Sequence, residues 1–402
     1  MSGPLSPTRT SAADMTTSSP RPSRPSALAM IACMVLGFCY LAVVLKADQQ
    51  WSVLVLVIGA IGAVWAGSRL GWLNYAERSF NAHESAAGAL GVVGVLALAV
   101  LFHDSSFVLF LLATILVNMT ACLGLNIQFG YVGMLNFAGS AMLGIGAYTA
   151  ALVGRSDIIP PILLLPLGGL CAVIVGSLLL PPMLRTQGHY SAVVTIAFGL
   201  LLTTFLDSFQ PFGGSQGLAS PTMTIFGWSF ARSITIAGFK FAFYMNYLVL
   251  ALVMVIGAAI LVRRIERSWI GLTLDAVRID ETASSCFGID IGSAKIFAFT
   301  VGNFIVGVAG ALYAMMLGYI APNNFSFADS LILITIILLG GIGSIWGTIV
   351  TTAIVFILPE RLQAIQEYRL FIYSIVVLLV LRFVPSGLIP RSLRSYFPGG
   401  KA

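Results

Sequence analysis

Apolar runs long enough to cross a membrane recur along nearly the whole chain, separated by short polar breaks. A helical run of about 20 apolar residues spans a hydrocarbon core of about 30 Å. On that measure the pattern predicts spans over Ala27–Leu45, Ser52–Gly67, Ala86–Phe102, Phe107–Leu125, Tyr131–Val153 and Pro161–Leu184. It continues through Ser191–Asp207, Phe241–Val262, Ile296–Gly318, Leu331–Leu358 and Leu370–Phe383. Lipid offers backbone groups no water, so such runs must satisfy their own hydrogen bonds as helices. The predicted fold class is all-α: a polytopic helical integral membrane protein with about 10–12 transmembrane helices.

Three stretches depart from this rhythm. Leu331–Leu358 would run about 42 Å as one straight helix at 1.5 Å per residue, and Gly340-Gly341-Ile342-Gly343-Ser344 interrupts it. A split there puts the basic C-terminal cluster of Arg382, Arg391, Arg394 and Lys401 on the cytoplasmic side, as the positive-inside rule asks. Asp207–Lys240 is a turn-rich loop followed by Phe226, Trp228 and Phe230, suited to the membrane interface. Arg263–Lys295 is the longest polar stretch, with five basic and five acidic residues in a chain holding 21 and 15. From Trp269, apolar residues Leu272, Ala276, Ala283 and Phe287 follow near helical spacing. A short amphipathic helix of that kind inserts into a groove on a soluble partner or lies on lipid, and spacing alone does not choose.

Composition narrows the field. Charged residues are 9% and hydrophobic ones 58%, against about 25% charged in soluble domains. The net charge of +6 reflects basic residues at segment ends and is no sign of nucleic acid. The five cysteines are scattered without CxxC spacing or paired histidines, so they read as packing residues and no metal site is expected. Residues 1–26, rich in Ser, Thr, Pro and Arg, read as a disordered cytoplasmic tail ahead of an uncleaved first helix. His189 reads as a solvated loop residue.

No ionisable side chain falls at mid-depth in a span, which argues against a proton pump or an ion-coupled carrier built on buried charge. HExxH and GxxxxGK[ST] motifs are missing, so catalytic residues and a nucleotide site are not expected. If transport is active, its energy comes from a partner.

The segment Glu281-Thr-Ala283-Ser-Ser-Cys-Phe-Gly288-Ile-Asp resembles the cytoplasmic coupling loop of ABC importer permeases, specifically the branched-chain amino-acid class. Leu123–Leu152, Arg185–Gly199, Ala294–Phe327, Leu338–Thr348 and Tyr368–Ile389 are similar to the same class, in order along about two thirds of the chain. The resemblance implies a permease subunit in the bacterial inner membrane. It further implies a second permease subunit, two cytoplasmic ATPase subunits that bind the ATP, a periplasmic solute-binding protein, and no cofactor in this chain. It divides the chain into N-terminal transmembrane helices (27–122), a permease core (123–390) with its coupling loop (263–295), and a tail (391–402). Met134–Ser140 departs from the polar run usual in the family's first signature, and members of the class also serve urea and short amides. The alternatives are therefore a urea or short-amide permease, or a self-sufficient channel or secondary carrier.

On this reading the ATPase-coupling residues are Trp269, Leu272, Ala276, Glu281, Ala283, Phe287 and Gly288. Candidates for the translocation pathway are Gly133, Asn136, Gly139, Gly146 and Asn303, with tight helix packing as the competing role for the glycines and structural hydrogen bonding for Asn136. Ala298, Gly302, Gly310, Ala314 and Gly318 recur at multiples of four and form one packing face, against this chain or a partner permease.

Overall fold

A computed structural model of the chain describes residues 27–46, 84–156, 159–185, 189–225, 227–236 and 239–361, with single residues at 59, 371, 374, 378, 387–389 and 391. The tail 1–26, nearly all of spans 52–67 and 370–383, and the C-terminal tail beyond Arg391 lie outside the described residues.

The described chain is helical almost throughout. Helix α1 is Ala27–Lys46, α2 is Glu84–Leu101, and α3 is Ser106–Asn126, which continues into a π-helical turn at Ile127–Tyr131. Then follow α4 (Gly139–Gly154), α5 (Pro161–Ser177), α6 (Leu180–Arg185) and α7 (His189–Ser208). The second half comprises α8 (Tyr244–Glu266), α9 (Trp269–Ile279), α10 (Glu281–Cys286), α11 (Ile291–Leu317), α12 (Phe327–Gly340) and α13 (Ile345–Arg361). Among the described residues, five apolar helices reach membrane-spanning length, including Ser106–Tyr131, Tyr244–Glu266 and Ile291–Leu317. The chain is thus a multi-pass helical membrane protein.

Local chemistry sets the helix ends. Asp290 starts α11 by accepting from the Gly292 and Ser293 amides at 2.9 and 3.3 Å, which supplies orphan donors of the first turn. Those bonds hold the Asp290 carboxyl below its usual pKa, the Ser293 side-chain bond contributing most. Ser326 and Asp329 form a reciprocal capping box on α12.

Helix α11 lies at the centre, packed on α3, α4, α5 and the π-helical turn. Its small residues let neighbours approach to backbone contact. A methyl group at Gly310 would collide with the Leu143 carbonyl, one at Gly146 with the Gly307 carbonyl, and one at Gly307 would lie 2.5 Å from the Ala172 Cβ. The face carrying Ala298, Gly302, Gly310 and Ala314 is buried within this chain, so it packs internally and not on another subunit. Helix α3, apolar all round, is 89% buried, whereas the apolar window of α7 is 22% buried and leaves a broad face for lipid or a partner.

The stretch Leu331–Leu358 is two helices, split at the glycines as the sequence suggests. Gly341 (φ +110) and Gly343 (φ +83) turn the backbone where a side chain would strain it. The C-terminal segment returns to this turn, its Leu388 and Ile389 amides donating to the Leu339 and Gly340 carbonyls at 2.8 and 3.0 Å. The expected span Tyr131–Val153 is likewise interrupted: residues 132–138 are non-helical, and α4 has 16 residues, about 24 Å at 1.5 Å per residue. Among the described residues, three two-stranded antiparallel ribbons add to the helical plan, one of them pairing Leu218–Ala219 with Tyr319–Ile320. The ribbon at Leu218–Ala219 and Tyr319–Ile320 lies beside α4, whose Tyr148 packs on Phe212 and Phe325.

The Gly307→Leu variant should lower the thermal midpoint of the purified protein in detergent, because overfilling a close-packed site costs about 1–3 kcal/mol. An unchanged midpoint would contradict the packing at the α4, α5 and α11 junction.

Candidate functional site

The charged end of the molecule is built by the loop helices α9 and α10. They form two pieces, not the single amphipathic helix that the apolar spacing suggests. Asp280 adopts an extended backbone (φ −155, ψ 109), and its carboxylate accepts from the Ala283 amide at 2.9 Å, closing α9 and capping α10. Helix α9 turns Gly271, Leu274 and Val277 inward, leaving Leu272 and Ala276 half-buried. Gly271 permits this contact, since a Cβ there would lie 2.5 Å from the Ile265 carbonyl. Trp269 is 84% exposed, Ile279 72% and Phe287 86%, an unusual set of apolar side chains to leave in the open. Ala283, Glu281 and Gly288 are also exposed, and Gly288 has a positive φ of 79°. Glu281 pairs with Lys295 at 2.8 Å, fixing α10 against the start of α11.

Beneath these helices two arginines reach the interior break. Arg391 forms a bidentate pair with Asp275 at 2.7 and 2.9 Å and donates its Nε to Glu266 at 3.0 Å. Its guanidinium lies 4.1 Å from the centroid of the Tyr131 ring, within cation–π range. Burial opposes the charge on Arg391, yet the Asp275 hydrogen bonds, aided by Tyr131 and Glu266, raise its pKa above the ordinary arginine value. Arg278 donates to the Gly130 carbonyl at 2.6 Å, and its pKa is lowered, first by burial and then by Arg391. Asp275, Arg278, Ile279, Ile342 and Arg391 line a crevice of about 270 Å³.

Farther in, an amide cluster joins the break to α11. The Asn136 Nδ2 donates to the Gln128 Oε1 at 2.6 Å, and the Gln128 Nε2 donates to the Asn303 Oδ1 at 2.8 Å. All three side chains are buried, and the Asn136 Oδ1 accepts from the Ala138 amide at 2.9 Å. The Asn303 Nδ2 has no partner and faces Gly176 and Met142. Asn126 holds the other side, accepting from the Gly343 amide at 3.0 Å and donating to the Ser344 carbonyl at 3.3 Å.

The structure therefore brings Asn136 and Asn303 together, with Gln128 between them. It does not bring the glycines to that cluster. Gly139 packs on Leu125 and Gly146 on Gly307, while Gly133 (φ +76) is exposed beside Arg278. Gln128, Tyr131, Arg278 and Arg391 escape a reading from motifs. A glutamine inside an apolar run is the one signal that would have marked Gln128, since a buried amide needs partners. Among the described residues, no three His, Cys, Asp or Glu side chains group as metal ligands would.

Residues 106–381 match the family described as branched-chain amino acid transport system / permease component. The chain is 31% identical over 284 residues to the high-affinity branched-chain amino acid transport system permease protein LivM of Salmonella typhimurium (strain LT2), and equally to that of Escherichia coli (strain K12). Each of these matches covers 67% of both chains. The permease protein LivH of the same Salmonella strain is 24% identical over 283 residues, covering 67% of this chain and 90% of LivH. No solved structure matches the chain.

The Gln128→Leu variant strands the Asn136 Nδ2 and the Asn303 Oδ1 without a partner, at a cost of about 1–3 kcal/mol for each orphaned buried group. The expected result is a lower thermal midpoint in detergent than for Gln128→Glu, which keeps an acceptor for Asn136. Equal midpoints for Gln128→Leu and wild type would contradict the cluster.

Proposed function

This chain belongs to the family of branched-chain amino acid transport system permease components, and on that premise we propose that it is the membrane-spanning subunit of an ABC importer. It carries branched-chain amino acids inward across the bacterial inner membrane, and partner ATPases supply the energy. Its partners are a second permease subunit, two cytoplasmic ATPase subunits and a periplasmic solute-binding protein. It holds no ATP and catalyses no reaction itself.

The observation that carries this reading is the exposed apolar set of Trp269, Ile279 and Phe287 at the charged end. A membrane protein with such residues outside its apolar spans presents anchors for a groove on a soluble partner. The charged end is then cytoplasmic, with Glu281, Ala283 and Gly288 beside the docking residues. The positive φ of Gly288 keeps the chain turning sharply after Phe287. Asn136, Gln128 and Asn303 form a buried polar cluster where the break in α3 meets α11, and the solute path runs beside them as the helices rock.

The experiment is to purify the chain in mild detergent from membranes that hold its partners, then identify what accompanies it and assay ATP hydrolysis. An ATPase and a second permease should co-purify. Phe287→Asp should leave the folded yield intact, since the ring touches little, and should weaken ATPase association about tenfold or more, the loss of one interface hot spot. Recovery of the chain alone, or undiminished association of the variant, would count against this docking surface.

A further inference from the structure

The two arginines at the charged end are not among the docking residues proposed above: Arg391 is buried, and Arg278, although exposed, reaches its guanidinium to an interior carbonyl. The Gly130 carbonyl ends the π-helical turn where α3 stops being a regular helix, and the negative end of a helix attracts a cation. Arg278, on the docking helix α9, donates to that carbonyl at 2.6 Å. Arg391 is held by Asp275 of the same helix and by Glu266 at the end of α8, and covers the Tyr131 ring. The Arg391 side chain is 8% exposed, and the pair of arginines is balanced by the pair of carboxylates. The turn they grip carries Gln128, three residues before Tyr131, whose amide reaches Asn136 and Asn303.

The break in α3 thus has a cytoplasmic handle and an interior hook on one short turn. Only Phe129 and Gly130 separate Gln128 from Tyr131. Gly130 touches the Gly343 backbone so closely that a Cβ would sit 2.6 Å from it, so the α12–α13 turn follows as well. From this placement we infer that Arg391 and Arg278 are positioning residues that transmit displacement of α9 to the Ile127–Tyr131 turn, and through Gln128 to Asn136 and Asn303. A packed chain of contacts with discrete arrangements is what coupling between distant sites requires. Arginine suits the task where lysine does not, since its planar fork binds Asp275 bidentately while its face stacks on the ring.

The inference rests on the importer reading, and one experiment separates the two. The transporter complex, reconstituted in proteoliposomes, is assayed for uptake of labelled leucine and for ATP hydrolysis in the same preparation. Wild-type complex should take up leucine only with ATP; if it does not, the importer reading falls and this inference with it. Arg391→Lys should still assemble with the ATPase and hydrolyse ATP, while leucine moved per ATP drops about tenfold. Tyr131→Leu should behave alike, and Tyr131→Phe, which keeps the ring under the guanidinium, should restore the ratio. An unchanged ratio in Arg391→Lys and Tyr131→Leu would overturn the inference. So would parallel loss of assembly, hydrolysis and uptake, which would make the arginine a plain structural brace.

Discussion

A helix that stops inside a membrane protein must find new partners for the backbone groups it releases, and here that requirement organises everything around residues 127–140. With no water at depth, each orphaned amide or carbonyl costs free energy until something supplies a bond. The Met134 amide bonds back to the Gln128 carbonyl, the Phe137 amide donates to the Thr195 hydroxyl, and the Ser140 amide donates to the Ser330 hydroxyl. Arg278 takes the Gly130 carbonyl, and Asn136 takes the Ala138 amide. Helices α7, α9 and α12 are therefore tied to one irregular segment by polar bonds. The rest of the packing, built from small residues on α11, brings those helices close enough for the bonds to form.

On the proposed coupling, this arrangement joins the charged end to the interior. The α9–α10 segment presents Trp269, Ile279 and Phe287 outward, while Asp275 bonds to Arg391 and Arg278 bonds to the Gly130 carbonyl. A partner that moves the outer face cannot leave the inner face behind, because α9 is short and its inward side is bonded rather than merely packed. Salt bridges at a surface are worth little on their own. Here the Arg391 side chain is mostly buried and its carboxylate contact is bidentate, which sets the geometry of the contact as well as its strength.

Much of the fold was legible from the sequence, because long apolar runs leave few choices in lipid. The glycine break at 340–344 announced two helices where length alone allowed one, and the spacing of four along α11 announced a close-packed face. Asn136 and Asn303 drew notice as amides in apolar surroundings, but not as neighbours of one another. Their link through Gln128 spans 175 residues and depends on how α3 meets α11. The apolar spacing from Trp269 to Phe287 misled about a continuous helix because it ignored Asp280, whose carboxylate competes for the backbone as a cap. Arg391 read only as one of several basic residues near the C-terminus. Its partners lie 116 and 125 residues away, and no local pattern could have joined them.

The account stands or falls on where the energy for transport enters. The most direct measurement places labelled leucine and the solute-binding protein on one side of proteoliposomes holding the purified complex. Either ATP is then supplied on the face that carries Trp269 and Phe287, or an ion gradient is imposed without ATP. Uptake that requires ATP and ignores the gradient is the predicted result. Uptake driven by the gradient through this chain alone, with no ATPase present, would contradict it.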